Sequence, residues 1–354
     1  MEIKVLHVCI ALHDGGVERL LYNYYRNLYN VVGFDFLVYD AKEGMLEREF
    51  KEFGCKIYKV NGLSKAELNN ELNQILDVGE YNVIHFHGYF NLRLLLIAQK
   101  RGIKTRILHS HSAIVQEELR KKIRLRLAMM LATDFWACGQ KAGQAMWKNR
   151  RFHIMRNAID VEEFEFNEQV RKEYRKRLNL EDELAIIHVG RLSKEKNQKF
   201  LLNVANDLMK KKIKFKLFIV GDGELRNDLL SFVNQHALNE YVKFLGARGD
   251  VSHILNAMDL FVLPSIFEGL PVSVIEAQAN GLPCLISDSI TDEVVISKHI
   301  KLLPLSCNLW VDEICQFHNC DGRKQGKVDV SNAGYNIQIE SKRLIEKYEE
   351  LLQR

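Results

Sequence analysis

The alternation of apolar, strand-like runs with amphipathic, helix-like stretches most constrains how this chain folds. In the first half, the runs predicted as strands are residues 4–10, 34–39, 55–60, 83–87, 104–109, 134–138 and 152–156. In the second half they are residues 184–189, 216–220, 242–245, 260–264 and 284–287. Leucines and aromatic residues recur between them at three- and four-residue steps, for example in 17–28, 46–53, 198–210 and 224–236. Apolar strands separated by helices are typical of parallel sheets covered on both faces.

The length of the chain predicts two domains. Its 354 residues exceed what one hydrophobic core usually serves. Each half has enough strand–helix units for its own doubly wound sheet, so we expect an α/β protein with two Rossmann-like domains. The predicted domains are residues 1–165 and 166–335, joined near 158–180 by a run of acids followed by a run of bases. Residues 336–354 are predicted to end the chain with an amphipathic helix.

Composition excludes several other classes of protein. Hydrophobic residues make up 47% and charged residues 27%, which rules out intrinsic disorder and fibrous repeats. No apolar run reaches the roughly 18 residues of a membrane span, and the N-terminus lacks the features of a signal peptide. The seven cysteines are scattered and never spaced C-x-x-C, which predicts reduced thiols in a cytoplasmic protein. A net charge of +4 is too small to indicate nucleic-acid binding.

The segment 260–287 predicts a ligand site at the edge of the second sheet. A buried strand ends near Pro264, and a helix follows over 271–280, with Pro271 in its first turn and Gly281 as the left-handed residue after it. The start of this helix faces the carboxyl edge of the sheet, where open α/β folds bind ligands. Free N–H groups at helix N-termini attract phosphate, so the ligand is expected to carry phosphate.

Two carboxylates, Glu268 and Glu276, flank that predicted site. Glycosidases need their two carboxyl groups about 5–9.5 Å apart. Eight residues on a continuous helix would separate these two by about 12 Å along the axis. Two acids that bind different hydroxyls of one ligand therefore fit the spacing better. The alternative is one surface glutamate and one helix-capping glutamate.

Two further strand-to-helix junctions lie in the second domain. The segment V-G-R-L-S-K-E-K at 189–196 carries Arg191 and Lys196, which could converge on an anion such as a diphosphate. The alternative is a pair of solvated charges at a helix start. The segment G-D-G at 221–223 is either part of the ligand site or a tight turn without a ligand.

In the first domain, paired glycines and paired histidines stand at predicted strand ends. Gly15 and Gly16 follow the first strand and allow close approach of a ligand, although the pattern is not the G-x-G-x-x-G of dinucleotide binding. Four histidines follow in two pairs: His85, His87, His109 and His111. No acidic residue or cysteine lies at ligand spacing, so hydrogen bonding in a polar cleft is favoured over zinc binding. At least two of the four are expected to be structural.

Together these motifs make the chain resemble the retaining glycosyltransferases of family four, which have the GT-B fold. The resemblance covers essentially the full length and rests on G-G-V-E at 15–18, G-R-L-S-K-E-K at 190–196, G-D-G-E-L at 221–225 and F-E-G-L-P-V-S-V-I-E at 267–276. The E-x7-E spacing in the last motif is the most specific. The resemblance implies two Rossmann-like domains that face each other across a cleft, with the C-terminal helix crossing back to the first domain.

The resemblance also implies a role for each matching residue. His111, or alternatively His109, would lie near the transferred sugar, and Glu268 would hold its hydroxyls. Glu276 would bind the ribose of the nucleotide. The residues implied at the donor diphosphate are Gly15, Gly16, Arg191, Lys196, Gly269 and Leu270.

The implied activity is that of bacterial exopolysaccharide and capsular enzymes. A hexosyl group would move from a nucleotide sugar, with UDP as the default, to a glycan or a polyprenyl-diphosphate-linked saccharide. The reaction would proceed with retention and without a metal or other cofactor, and no D-x-D motif is present. The alternatives are a sugar-nucleotide 2-epimerase of the same fold and a non-catalytic nucleotide-sugar-binding subunit. The Arg191–Lys196 and Glu268–Glu276 pairs argue against both.

Residues 117–130 form a basic amphipathic segment. Such a helix either lies on an anionic membrane surface or packs its apolar side on its own sheet with its bases in water. Both interpretations remain open from the sequence. The first would place the protein peripherally on the inner face of the plasma membrane.

Overall fold

The computed structural model describes residues 2–12, 16–44, 46–88, 90–111, 118–317 and 322–354. The chain forms two compact units, Met1–Ala158 with Ile337–Arg354, and Ile159–Asn336. Residues 159–165, which the sequence placed in the first domain, belong to the second unit. The reason is local pairing, because the Ile159 N–H donates to the Tyr335 carbonyl at 2.9 Å and Phe164 is part of the second unit's core.

The first unit is built on a seven-stranded parallel sheet. Its strands are β1 Ile3–Cys9, β2 Val32–Val38, β3 Ile57–Lys59, β4 Val83–His87, β5 Thr105–Ser110, β6 Asp134–Ala137 and β7 His153–Ile154. They lie in the order β3-β2-β1-β4-β5-β6-β7. The connecting helices are α1 Gly16–Leu28, α2 Glu47–Glu52, α3 Lys65–Gly79, α4 Leu92–Lys100, α5 Leu119–Leu131 and α6 Gln140–Trp147.

The second unit is built on a six-stranded parallel sheet. Its strands are β8 Leu184–Val189, β9 Phe215–Val220, β10 Val242–Gly246, β11 Leu260–Leu263, β12 Cys284–Ser287 and β13 Ile300–Leu303, in the order β10-β9-β8-β11-β12-β13. Its helices are α7 Glu168–Arg177, α8 Gln198–Lys210, α9 Arg226–Gln235, α10 Val251–Ala257, α11 Val272–Ala279, α12 Cys307–Cys315 and α13 Gln325–Val330. The edge strand β13 was not predicted.

The last helix, α14 (Ile337–Leu352), belongs to the first unit. Before it, Gly334 has a φ of 85°, a conformation that interrupts the helical backbone after α13. Leu344, Tyr348 and Leu351 are buried in the same core as residues of α1, so α14 covers part of the first sheet. The Tyr348 ring also stacks on Trp136, with centroids 5.6 Å apart.

In each sheet the order in which strands are added changes direction at one point. This reversal lies between β1 and β4 in the first sheet and between β8 and β11 in the second. Two doubly wound α/β sheets confirm the predicted fold class. Ligands of such sheets bind at the carboxyl ends of the strands next to the reversal. No helix in the described ranges is both long enough and apolar enough to cross a membrane.

Candidate functional site

The loops that follow β8 and β11 carry the predicted charged residues of the second unit. β8 and β11 are neighbours in the sheet, so both loops emerge at the same carboxyl edge. Two hydrogen bonds join them: Ile266 N–H donates to the Glu195 carbonyl at 2.8 Å, and the Asn197 side-chain amide donates to the Pro264 carbonyl at 3.2 Å. Residues far apart in sequence are thereby held at one site next to the strand reversal.

Lys196 and Glu268 form an ion pair at this edge. Lys196 Nζ lies 2.5 Å from Glu268 Oε1, and the two side chains are 20% and 14% exposed. The Ser265 hydroxyl donates to the same carboxylate oxygen at 2.8 Å. A pair this far removed from water is screened less by salt than a surface pair. The carboxylate predicted to hold sugar hydroxyls and the ammonium predicted to hold phosphate therefore neutralise each other in this structure.

Arg191 occupies a different position from Lys196. Its side chain is 73% exposed and its guanidinium lies 3.2 Å from a carboxylate oxygen of Glu224. The two basic residues thus contact different carboxylates, and the described part of the chain does not bring them onto one partner. Their convergence on an anion stays a prediction for the liganded protein.

A buried histidine and a glutamine shape the loop after β8. His188 Nδ1 lies 3.1 Å from the Val262 carbonyl, which can only accept, so this nitrogen carries the proton. Its Nε2 then accepts from the Gln198 amide at 3.0 Å, and the same amide donates to the Arg191 carbonyl at 2.7 Å. Burial, assisted by the charge of Lys196, lowers the pKa of His188 to about 4.

The sequence analysis did not identify His188 and Gln198 as residues that shape the site. The available signal was a histidine inside an otherwise apolar strand, with a glutamine ten residues later at the start of α8. Both are fully buried. Because His188 is neutral at neutral pH, it fixes the backbone at Arg191 without adding charge to the site.

The glycines of the 221–223 turn are explained by backbone contact. Gly221 has a φ of 129°, and a Cβ there would lie 2.1 Å from the Gly190 carbonyl oxygen. A Cβ at Gly223 would lie 2.4 Å from the Leu192 carbonyl oxygen. The Leu192 N–H donates to the Asp222 carbonyl at 2.9 Å. The turn therefore supports the loop that carries Arg191, which favours the tight-turn interpretation over direct ligand binding.

Helix α11 follows the second loop and is two residues shorter than predicted. Pro271 is extended, with ψ of 107°, and precedes the first helical residue. Gly281 has the predicted left-handed conformation, with a φ of 67°. Glu276 is half-buried in the middle of α11, and Gly269 and Leu270 directly precede Pro271. The segment therefore leads from the Lys196–Glu268 pair into a helix N-terminus at the sheet edge.

Two glycines, Gly15 and Gly16, were predicted as site residues in the first unit. Gly15 lies outside the described residues. Gly16 is the first residue of α1, and a Cβ at Gly16 would meet nothing within 4 Å. Packing within the described chain therefore does not require a glycine at this position.

Five histidines on one face of the first sheet are joined by hydrogen bonds between their rings, and we call them the histidine network: His7, His85, His87, His109 and His111. Residues two apart in a strand share a face. The register places His7 opposite His85 and His87 opposite His109. Their rings pair in two hydrogen-bonded strings, and sequence reasoning had not included His7.

The first string runs from His7 Nδ1 to His87 Nε2 at 2.9 Å and from His87 Nδ1 to His111 Nε2 at 3.0 Å. The second runs from the Tyr348 hydroxyl to His85 Nδ1 at 3.0 Å and from His85 Nε2 to His109 Nδ1 at 3.1 Å. Burial lowers the pKa of His7 and His111 to about 3. Burial and the neighbouring imidazoles hold the pKa of His85, His87 and His109 well below the usual range.

Of the two histidines proposed near a ligand, His109 is fully buried whereas His111 is partly exposed. Of the two, His111 is therefore the more accessible residue. Neutral imidazoles are also metal ligands, and two groups of three have ring nitrogens within 4.8 Å of one another: His7, His85, His87 and His87, His109, His111. In both groups, nitrogens already pair with other imidazoles, so a metal ion would have to replace those hydrogen bonds.

The chain is similar in sequence to glycosyltransferases. Residues 170–303 match the family described as Glycosyl transferases group 1. EpsF of Bacillus subtilis, provisionally named a glycosyltransferase, is 34% identical over 82% of this chain and 80% of its own length. An Escherichia coli protein is 30% identical over 81% of this chain and 80% of its own length. Its name is UDP-Gal:alpha-D-GlcNAc-diphosphoundecaprenol alpha-1,3-galactosyltransferase.

Solved structures share the fold over nearly the whole chain. HepE of Anabaena in complex with UDP has a TM-score of 0.81 at 17% identity, covering 99% of this chain and 100% of the other. The pneumococcal O-GlcNAc transferase GtfA, in complex with UDP and GlcNAc, has a TM-score of 0.75 at 12% identity and covers all of both chains. At these identities the likeness establishes the GT-B fold alone.

Proposed function

Because the chain belongs to the group 1 family of glycosyl transferases, we propose that it transfers a sugar from a nucleotide sugar with retention of the anomeric configuration. The observation that carries this proposal is the charged edge of the second sheet. There, loops bearing Arg191, Lys196 and Glu268 meet next to the strand reversal, and one of them leads into α11. Cations next to a helix N-terminus suit a diphosphate.

UDP is the nucleotide that we propose for the donor. The name of the Escherichia coli relative specifies UDP-Gal, and HepE was solved with UDP and with UDP-glucose. Arg191, Lys196 and the backbone N–H groups of Gly269 and Leu270 would bind the diphosphate, together with the glycine loop at Gly15 and Gly16. Glu276 would bind the ribose hydroxyls.

The Lys196–Glu268 ion pair would be exchanged when the donor binds. Lys196 would turn from the carboxylate to a phosphate oxygen, and Glu268 would then accept hydrogen bonds from hydroxyls of the transferred sugar. Both groups keep a charged or polar partner in each state, so neither is left buried and unpaired. The Ser265 hydroxyl, which already donates to Glu268, would hold the carboxylate in place.

In the proposed reaction the bond between the sugar's anomeric carbon and the phosphate oxygen breaks. The acceptor oxygen bonds to the same carbon from the same face, and its proton passes to an oxygen of the leaving phosphate. Arg191, Lys196 and the α11 N-terminus would neutralise the charge that develops on the diphosphate. We propose no enzyme nucleophile and no metal, so activity should persist in a chelator such as EDTA.

The proposed acceptor is a polyprenyl-diphosphate-linked saccharide of bacterial polysaccharide biosynthesis. Names of two relatives support this class. The Escherichia coli relative acts on a diphosphoundecaprenol-linked GlcNAc. A Campylobacter jejuni relative, 36% identical over 113 residues, has a diphospho-undecaprenol-linked saccharide in its name. Such an acceptor sits in a membrane, so we propose that the protein works at the cytoplasmic face of the plasma membrane.

Helix α5 supports contact with that membrane. Its outer side exposes Leu119, Ile123, Leu127 and Met130, which are 72%, 52%, 46% and 77% exposed. They recur at the spacing of one helix face. The basic side chains are exposed as well: Arg120, Lys121, Lys122, Arg124 and Arg126. The opposite side packs on the first unit's own core, as one of the two alternatives expected. The exposed apolar side supports the other, contact with a membrane.

A basic helix with an exposed apolar stripe fits the surface of an anionic bilayer, where each basic residue contributes about 1 kcal/mol. Cosedimentation with phosphatidylglycerol vesicles should retain the protein, and phosphatidylcholine vesicles should not. Ile123→Asp with Leu127→Asp should abolish retention. The control, Val31→Asp with Val78→Asp, adds the same charge at exposed apolar positions elsewhere in the unit and should leave retention unchanged. Equal binding by both variants would exclude α5 as the contact.

The activity itself is tested with purified protein, a panel of UDP-sugars and a polyprenyl-diphosphate-linked acceptor. UDP release should require both substrates, and the new linkage should have the donor's anomeric configuration by NMR coupling constants. Conversion of the sugar nucleotide without an acceptor would instead identify a 2-epimerase. Inversion of configuration would overturn the retaining mechanism.

A further inference from the structure

One string of the histidine network connects the interior of the first sheet to its surface. It consists of His7, His87 and His111, joined by contacts of 2.9 Å and 3.0 Å between ring nitrogens. His7 is fully buried on β1, and His111, just beyond β5, is partly exposed. The proton positions of a deeply buried ring and an accessible ring are therefore linked.

The string has only two proton arrangements. At neutral pH each ring is neutral and carries one N–H, because burial keeps all three pKa values far below 7. In the first arrangement every ring is protonated at Nδ1, so that His7 donates to His87 and His87 donates to His111. In the second every ring is protonated at Nε2 and both bonds run in reverse. A change at one ring therefore requires the same change at all three.

The environment of His7 distinguishes the two arrangements. Its Nε2 is buried and has no hydrogen-bond partner among the described residues. The rings of Phe34 and Phe36 lie beside it, with centroids 4.2 Å and 5.6 Å from the imidazole centroid. Protonation at Nε2 would bury an unpaired N–H, which is energetically costly and rare in folded proteins. Protonation at Nδ1 leaves only a lone pair there.

The other end of the string favours the same arrangement. His111 Nε2 is occupied by His87, and Nδ1 has no hydrogen-bond partner in the described part of the chain. With Nδ1 protonated, the N–H is at the partly exposed ring, where water or a ligand can accept from it. In this arrangement the N–H without a protein acceptor belongs to the partly exposed His111 and not to the buried His7.

We propose that His7 and His87 are positioning residues that hold His111 as its Nδ1–H tautomer, so that His111 offers a ligand a hydrogen-bond donor and not a base. The part of this inference that concerns turnover rests on the proposed function. A donor at this position suits a hydroxyl or phosphoryl oxygen. It also leaves the acceptor's proton to the leaving phosphate, because His111 has no free lone pair to take it.

The tautomers can be read directly by NMR on the full-length protein labelled with ¹⁵N-histidine. Two-bond ¹H–¹⁵N correlations distinguish Nδ1–H from Nε2–H, and His111→Gln assigns the His111 signals. The wild type should show His111 with Nδ1 protonated. His7→Leu removes the donor to His87, so His111 should populate both tautomers. With the donor sugar saturating, kcat should fall roughly tenfold, while the affinity for free UDP should change less than about twofold.

His7→Asn is the matched variant, because its amide nitrogen stands where Nδ1 stood and can still donate to His87. It should restore the Nδ1–H tautomer and a kcat near wild type, which a purely space-filling role of His7 would not predict. Nε2–H at His111 in the wild type would overturn the proposal. So would a folded His7→Leu protein with an unchanged tautomer, or a folded His7→Asn protein with a mixed one. If the tautomers respond as expected but no nucleotide sugar is turned over, it is the proposed function that fails.

Discussion

In the first sheet, the strands on either side of the reversal point carry His7, His85 and His87, which are all buried and paired with other imidazoles. In the second sheet, the equivalent strands carry one buried histidine, His188, and the charges stand in the loops beyond the strand ends. The first unit thus keeps neutral titratable groups inside its sheet. The second has charged side chains at the edge of its sheet.

Because of this difference, we expect the two units to respond differently to pH and to substitutions of single side chains. Neutral imidazoles make the stability of the first unit depend on pH, because each must stay unprotonated in the folded state. The anion binding proposed for the second unit would depend on individual side chains of the charged edge. These side chains contribute little to folding, because the core of that unit lies elsewhere. Each of the following changes should therefore affect one unit and spare the other.

Removal of residues 341–354 should have the largest effect. The truncation deletes Leu344, Tyr348 and Leu351 from the first core and removes the hydroxyl that pairs with His85. Each lost large apolar side chain costs about 2–5 kcal/mol, so the first unit should lose protection in hydrogen–deuterium exchange throughout β1, β4 and β5. The second unit should stay protected and still bind UDP. Removal of Gln353 and Arg354 alone is the control, and equal protection in both truncations would contradict the packing of α14.

Acid should destabilise the first unit next most strongly. Folded pKa values near 3 for His7 and His111 lie below the unfolded value of about 6.5. Below pH 6.5 the unfolded chain therefore binds more protons, and the free energy of unfolding falls as pH decreases. Between pH 7 and pH 5 the loss should be about 2 kcal/mol for each such imidazole. Urea unfolding at several pH values measures it.

His7→Asn sharpens the acid experiment, since asparagine does not titrate. Its stability should depend less steeply on pH by the contribution of one imidazole. An identical slope in the variant and the wild type would show that His7 is not the neutral, buried group described here.

Features set by neighbouring residues along the chain could be predicted from the sequence, whereas contacts between residues distant in sequence could not. Apolar periodicity along the chain predicted most strands and helices, including β4, β8, β12 and α8 to the residue. It missed β13, a four-residue edge strand whose Lys301 is exposed and whose other residues are only partly buried. Edge strands bury too little to show a long apolar run.

Pairing across strands was beyond sequence reasoning. The alternation in His85–His87 and His109–His111 was visible, but the register that places His87 opposite His109 was not. That register brings the ring of His85 to that of His109 on the neighbouring strand and the ring of His87 to that of His111 just beyond it. His7 stood alone in an apolar strand and gave no pattern. Likewise, Lys196 and Glu268 were each predicted as site residues, yet their mutual ion pair depends on the neighbouring positions of β8 and β11.

Lys196→Ala should have a moderate effect that is confined to the second unit. Removal of one charged partner of a diphosphate should weaken UDP binding by about 2–3 kcal/mol. Binding of uridine, which lacks the diphosphate, should change little. Calorimetric titration with both ligands measures the difference, and a loss of equal size for both would indicate a structural effect. Lys194→Ala, an exposed base in the same loop, is the control.

The most direct test of the charged edge as the donor site is Glu268→Gln, followed by turnover and by UDP affinity in the same preparation. Glutamine keeps the shape of the side chain but cannot accept from sugar hydroxyls as a carboxylate does, and it releases Lys196 from its ion pair. Turnover at saturating donor should fall about 30-fold, or about 2 kcal/mol, whereas free UDP should bind as tightly as to the wild type or more tightly. Unchanged turnover, or an equal loss of turnover and UDP affinity, would contradict the assignment of Glu268 to the transferred sugar.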